Sequence, residues 1–131
     1  MMDRKRLLRR LEELCNVPSV SETAGEAAMP GVLLKLLNEN RYFHEHPEAA
    51  RILPVPEDPY RRGFVCALMR CGGRSKNTVI LLSHFDVVGV AGYGAQAEYA
   101  FHPEAYTESL RKSGGARLPE DAAADLAAGG W

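Results

Sequence analysis

The chain carries almost no excess charge of either sign. Lys and Arg total 16 and Asp and Glu 17, a formal net charge of −1 over 131 residues. Phosphate-directed nucleic-acid binding needs a concentrated basic surface, and this balance argues against it. The one basic patch, Arg4, Lys5, Arg6, Arg9 and Arg10, shares an amphipathic helical pattern with Glu12 and Glu13 and reads as a solvated face. No apolar stretch reaches the ~18–20 residues that span a bilayer, and no signal-peptide apolar core follows the N-terminus. Cys15, Cys66 and Cys71 are an odd set without close paired spacing, which argues against a disulfide framework. Cys15 and Cys66 fall in apolar patterns and are expected to be buried, reduced thiols. A cytoplasmic protein without membrane or nucleic-acid partners is the expectation. Gly89, Gly92 and Gly94 follow no phosphate-binding pattern and read as a flexible loop. Ser19 and Ser21 lack the context of a nucleophile elbow and read as turn or cap groups.

What is present is an ordinary globular composition, 46% hydrophobic and 25% charged, on a chain long enough for one domain. Asp3 can cap a first helix whose apolar residues Leu7, Leu8, Leu11, Leu14 and Cys15 recur at helical spacing, with Asn16 and Pro18 ending it. Ser21 or Thr23 can cap a second helix carrying Ala27, Ala28, Val32, Leu33, Leu36 and Leu37. Pro30 within it predicts either a kink or a start near that residue. From Asn38 to Pro59 four prolines forbid a long regular element, though Arg51-Ile52-Leu53 can form a short edge strand. Phe64–Met69 and Thr78–Ser83 read as strands able to pair in a hairpin. Pro103 opens a helix to Lys112, and Pro119 another to about Ala128. His102 reads as an extended residue at a helix entrance.

The most informative segment is Thr78-Val79-Ile80-Leu81-Leu82-Ser83, an aliphatic run that leads straight into His84-Phe85-Asp86. Such a run predicts a strand buried on both faces, and ligands bind at the carboxyl ends of strands in open α/β sheets. A spacing of two points His84 and Asp86 to one face if the strand continues. Neutral imidazole is a good zinc ligand, and a carboxylate is the usual partner of its second nitrogen. A histidine closing a strand and bonded to backbone is the plainer alternative, as is a turn-forming role for Asp86. His44 and His46, in Pro-rich surroundings, read as surface residues.

Val79–Val88 resembles the first metal motif of the aminoacylase/carboxypeptidase family of di-zinc metallopeptidases (peptidase clan MH): a hydrophobic strand, His-x-Asp, then a small apolar pair. Leu14–Ser21 followed by Glu26 is similar to that family's opening, a helix ending in a Pro-Ser loop. Three more segments resemble the arginine-utilisation, RocB-type branch: Phe43–Glu48, Leu53–Pro59, and Leu118-Pro119-Glu120-Asp121 with Gly129-Gly130-Trp131. The resemblance implies an α/β fold, a mixed sheet flanked by helices, of which residues 1–131 are the N-terminal portion, truncated before the second metal motif. It implies His84 as a zinc ligand and Asp86 as the acid that orients or polarises that ligand beside the catalytic centre. It implies two zinc ions per complete site, with other divalent metals as alternatives, and a small peptide or amino-acid-derived substrate. Ser83 stands where the family usually has glycine. The family's bridging aspartate, glutamate pair, later acidic ligand and C-terminal histidine have no counterpart here.

Catalysis by such a site needs several ligands and a general base, so the 131-residue chain alone is expected to be inert. Uncovered sheet or helix faces are expected to make it self-associate. Two rival readings stay open: a non-catalytic interaction module acting through an exposed sheet edge, and an unrelated small α/β domain with a coincidental His-x-Asp.

Overall fold

Side-chain chemistry at the helix starts sets the element boundaries. The computed structural model describes residues 3–73, 76–113 and 118–128. Helix α1 spans Arg4–Cys15, and Asp3 caps it by accepting the Lys5 N–H. Helix α2 spans Ala24–Asn38, capped by Thr23, whose hydroxyl oxygen accepts the Glu26 N–H. It runs continuously through the buried Pro30, so the expected alternative of a start at that residue does not hold. Asn40 caps a short helix α3, Arg41–Glu45, which the proline-rich composition had not signalled.

Strands β1, Ala50–Pro54, and β2, Gly63–Ala67, pair antiparallel with Ala50 opposite Ala67 and Pro54 opposite Gly63. A 3-10 stretch covers Val90–Tyr99, broken at Gly94 where φ is 55°, in place of the expected loop. Helices α4, Pro103–Lys112, and α5, Glu120–Ala127, follow within a residue of expectation. The architecture is thus mixed: helices with one small two-stranded antiparallel sheet, compatible with the α/β class. No described helix is long and apolar enough to cross a membrane.

Two compact units divide the chain. One spans Val17–Gly89, where α2 lies against α3 and both strands, with Met29, Phe43 and Ala50 buried. The other joins α1 to the segment from Val90 onward; there Leu126 is buried, and a cleft of about 300 Å³ is lined by Glu12, Asn16, His102 and Glu104.

Three expectations are corrected. Thr78–Ser83 carries no regular secondary structure, and Val79, Ile80, Leu81 and Leu82 are 83–95% exposed instead of buried. Its expected hairpin partner, β2, pairs with β1 instead. The physical reason is local. The turn between β1 and β2 is stapled by Asp58, whose carboxylate accepts the Arg62 N–H at 2.8 Å and its guanidinium at 2.9 and 2.5 Å. An aliphatic run becomes a buried strand only where other strands and covering layers meet it, and the described residues supply none. Cys15, Cys66 and Cys71 are free and all exposed, so the expected burial of Cys15 and Cys66 does not hold. Helical or strand periodicity places a thiol on a face, but the facing layer decides whether it is covered.

Candidate functional site

The His-x-Asp segment is held from behind by the Pro-Ser loop. Ser19 N–H donates to the Val17 carbonyl at 2.7 Å, closing a tight turn centred on Pro18. This aims the Ser19 side chain inward, where it is 1% exposed and donates to the Phe85 carbonyl at 2.8 Å. Val87 N–H donates to the Ser19 carbonyl at 3.0 Å, and Ser21 N–H donates to the Val87 carbonyl at 3.1 Å. Val20 and Val87 accordingly form an isolated parallel bridge.

The start of α2 supports that loop. Thr23 Oγ1 donates to the Val20 carbonyl at 2.6 Å. Gly25 is required by close approach, because a Cβ there would overlap the Pro18 carbonyl oxygen. Glu22, at φ 62°, donates its N–H to Glu26 Oε2 at 2.5 Å, and Arg62 Nη1 reaches the same oxygen at 3.3 Å. Through Glu26 the stapled strand turn is tied to the residues beneath the loop. Arg62 raises no pH question of its own: the Asp58 carboxylate, with Glu26, holds its guanidinium protonated even more firmly than usual.

In front of this support stand His84 and Asp86. The imidazole side chain is 84% exposed, and its Nδ1 lies 3.1 Å from Asp86 Oδ1 and 3.2 Å from the Asp86 carbonyl oxygen. Both neighbours can only accept, so Nδ1 must carry the proton. The neutral ring then keeps its lone pair on Nε2. Ser21 Oγ donates to the other carboxylate oxygen, Oδ2, at 2.9 Å. The Ser21 hydroxyl, then His84, hold the Asp86 carboxyl below its ordinary value, with partial burial opposing them.

Of the residues singled out in the sequence, His84 and Asp86 are therefore brought together, the ring facing outward and the acid facing the ring. His44 lies on α3, and His46 ends it, within 3.5 Å of Glu48 on an exposed edge. His102 stands at the entrance of α4, as expected. Among the described residues no three His, Cys, Asp or Glu side chains converge to hold a metal ion. Ser19 and Ser21, read in the sequence as turn or cap groups, do stand in turns and in addition bind the segment that carries His84 and Asp86. The signal was their place in the Pro-Ser segment, but a serine beside proline has turn formation as its ordinary role. A carboxylate on Nδ1 is one of the usual partners of a metal-ligating histidine. One such side chain is too few to hold zinc tightly.

The chain is similar to two proteins of Bacillus subtilis (strain 168). It is 30% identical to Protein RocB over 118 residues, 90% of this chain and 20% of RocB. It is 34% identical to the uncharacterized protein YqjN over 126 residues, 95% of this chain and 22% of YqjN. The chain thus spans about a fifth of the length of the curated relatives it matches. No family model matches it, and no solved structure matches it.

Proposed function

We propose that residues 1–131 are the opening segment of a zinc-dependent hydrolase of the aminoacylase/carboxypeptidase kind, related to RocB. The whole protein would cleave an amide or peptide C–N bond in a small amino-acid-derived substrate, with arginine-related compounds first among those to test. His84 would be a metal ligand through Nε2, and Asp86 the acid beside the catalytic centre that orients it. A two-zinc site is the form the resemblance implies, other divalent metals being alternatives. The observation that carries this reading is the Nδ1–Asp86 contact at 3.1 Å on an exposed ring, with two acceptors fixing the tautomer. The similarity to RocB over 90% of the chain supports the same direction.

When bound, zinc would supply a Lewis acid and an activated water. This chain's residues would do the rest of the local work: Asp86 keeps the Nδ1 proton, and the Ser19 and Ser21 backbone bonds fix the segment in register. The other ligands and the general base would come from further polypeptide, so the 131-residue chain by itself is inert. A cytoplasmic setting belongs to the same proposal, three free thiols being suited to a reducing compartment.

The decisive experiment compares metal content in a longer form of the protein with and without His84→Ala. Loss of at least one bound zinc per chain is expected, and unchanged metal content would remove His84 as a ligand. The rival reading, an interaction module, is favoured by one observation, the exposed Val79–Leu82 run. In that case the longer protein would bind no metal through His84 and the run would stay accessible in it.

A further inference from the structure

We propose that Ser21 is a positioning residue for His84: its hydroxyl fixes the Asp86 carboxylate so that the imidazole keeps its proton on Nδ1 and leaves the Nε2 lone pair free. The functional meaning of this rests on His84 being a metal ligand, but the tautomer itself does not.

The geometry divides the carboxylate's work between its two oxygens. Oδ2 takes the Ser21 hydroxyl at 2.9 Å and Oδ1 takes the imidazole at 3.1 Å. An aspartate's terminal torsion is broad, so one contact alone would leave the carboxylate free to swing away from the ring. Two contacts on opposite oxygens remove that freedom. The hydroxyl has a second acceptor within reach, the Val87 carbonyl at 3.3 Å. It has only one proton to give, and the shorter bond to a charged oxygen takes it.

Ser21 is well suited to the task because its own position is set by backbone. Its N–H is bonded to the Val87 carbonyl, and its neighbour Val20 bridges Val87. Asp86 is the residue just before Val87. Hydroxyl and carboxylate therefore sit on two chain segments already locked in register, and neither depends on a long flexible side chain. Ser19 performs a different job: it is buried and bonded to the Phe85 carbonyl, so it holds the segment by its backbone. The two serines of one loop thus divide the support, one fixing the backbone and one aiming the acid.

The test reads the tautomer directly, without metal. The ¹⁵N-labelled 131-residue chain and its Ser21→Thr and Ser21→Ala variants are compared by long-range ¹H–¹⁵N correlation of the His84 ring. The spectra are taken on the monomeric fraction, at a pH above which the ring signals no longer move. The wild type and Ser21→Thr should both hold the proton on Nδ1. Ser21→Ala keeps every backbone bond of the loop yet should move the Nδ1–H to Nε2–H ratio by roughly threefold to tenfold, the worth of one hydrogen bond. A wild-type ring with its proton on Nε2 would overturn the proposal, and so would an alanine variant with the wild-type ratio. Should Ser21→Ala lose the native amide pattern, Ser21→Cys replaces it. A ratio part way toward Nε2–H would then support the proposal, and the wild-type ratio would overturn it. Failure of metal uptake in the longer protein would leave this result standing. An unmoved tautomer would sink the role of Ser21 and leave the metal reading untouched.

Discussion

Replacing Ser19 with alanine removes one hydroxyl from the best-covered polar position of the Val17–Gly89 unit. The side chain is 1% exposed, and its hydroxyl donates to the Phe85 carbonyl at 2.8 Å. The substitution loses a net bond worth about 0.5–1.5 kcal/mol and leaves a half-buried carbonyl short of a donor, so a total of about 1–2 kcal/mol is expected. In a unit of this size each kcal/mol moves the melting midpoint by roughly 4–8 °C. Urea unfolding followed by circular dichroism, wild type against Ser19→Ala, gives the free-energy difference from the shift in midpoint at constant slope. Amide hydrogen exchange adds a local reading. Val87 N–H is bonded to the Ser19 carbonyl and should lose protection more than the amides of β1 and β2 do. A loss below about 0.3 kcal/mol with Val87 exchange unchanged would refute the view that this loop holds the His-x-Asp segment, since a buried bond of this kind should cost more than that.

Two further outcomes can be checked on the same chain. Asp58 is held below its ordinary carboxyl value chiefly by its hydrogen bonds to Arg62, so its contribution to stability is full above the unfolded value near 3.8 and is lost as pH falls through the lower folded value. Below about pH 4 the wild type should therefore lose urea resistance more steeply than Asp58→Asn, and parallel acid limbs for the two proteins would refute the staple. Val79, Ile80, Leu81 and Leu82 are 83–95% exposed, and covering even one such side chain returns about 1.5–3 kcal/mol. Through this segment the 131-residue chain should associate with a second copy of itself in a concentration-dependent way, and Leu81→Lys should weaken that association by at least tenfold in sedimentation velocity. A wild-type chain that stays monomeric at high concentration would contradict this.

How much of this was legible in the sequence differs from one feature to the next. Helices α1, α4 and α5 follow from caps, prolines and periodicity, all of which act within a few residues of one another. The edge strand at Arg51-Ile52-Leu53 was also visible, as was the His-x-Asp pair. Helix α3 was hidden because the four prolines that follow it outweighed a five-residue element with only Asn40 to announce it. The partner of β2 was misread because hydrophobicity says that a strand wants a neighbour, not which one. The Asp58–Arg62 staple, which makes that choice, is written in polar residues of a turn.

The sequence by itself determined where helices begin and end, because capping and proline geometry are local. It also determined that an imidazole and a carboxylate stand two residues apart. Only the tertiary structure decided that Ser19 and Ser21, more than sixty residues upstream, grip the segment that carries that pair. It likewise decided that the strongest aliphatic run lies exposed. Long-range pairing depends on which segments meet in space, and burial depends on what is there to cover an apolar face. Neither is encoded in the spacing of residues along one segment.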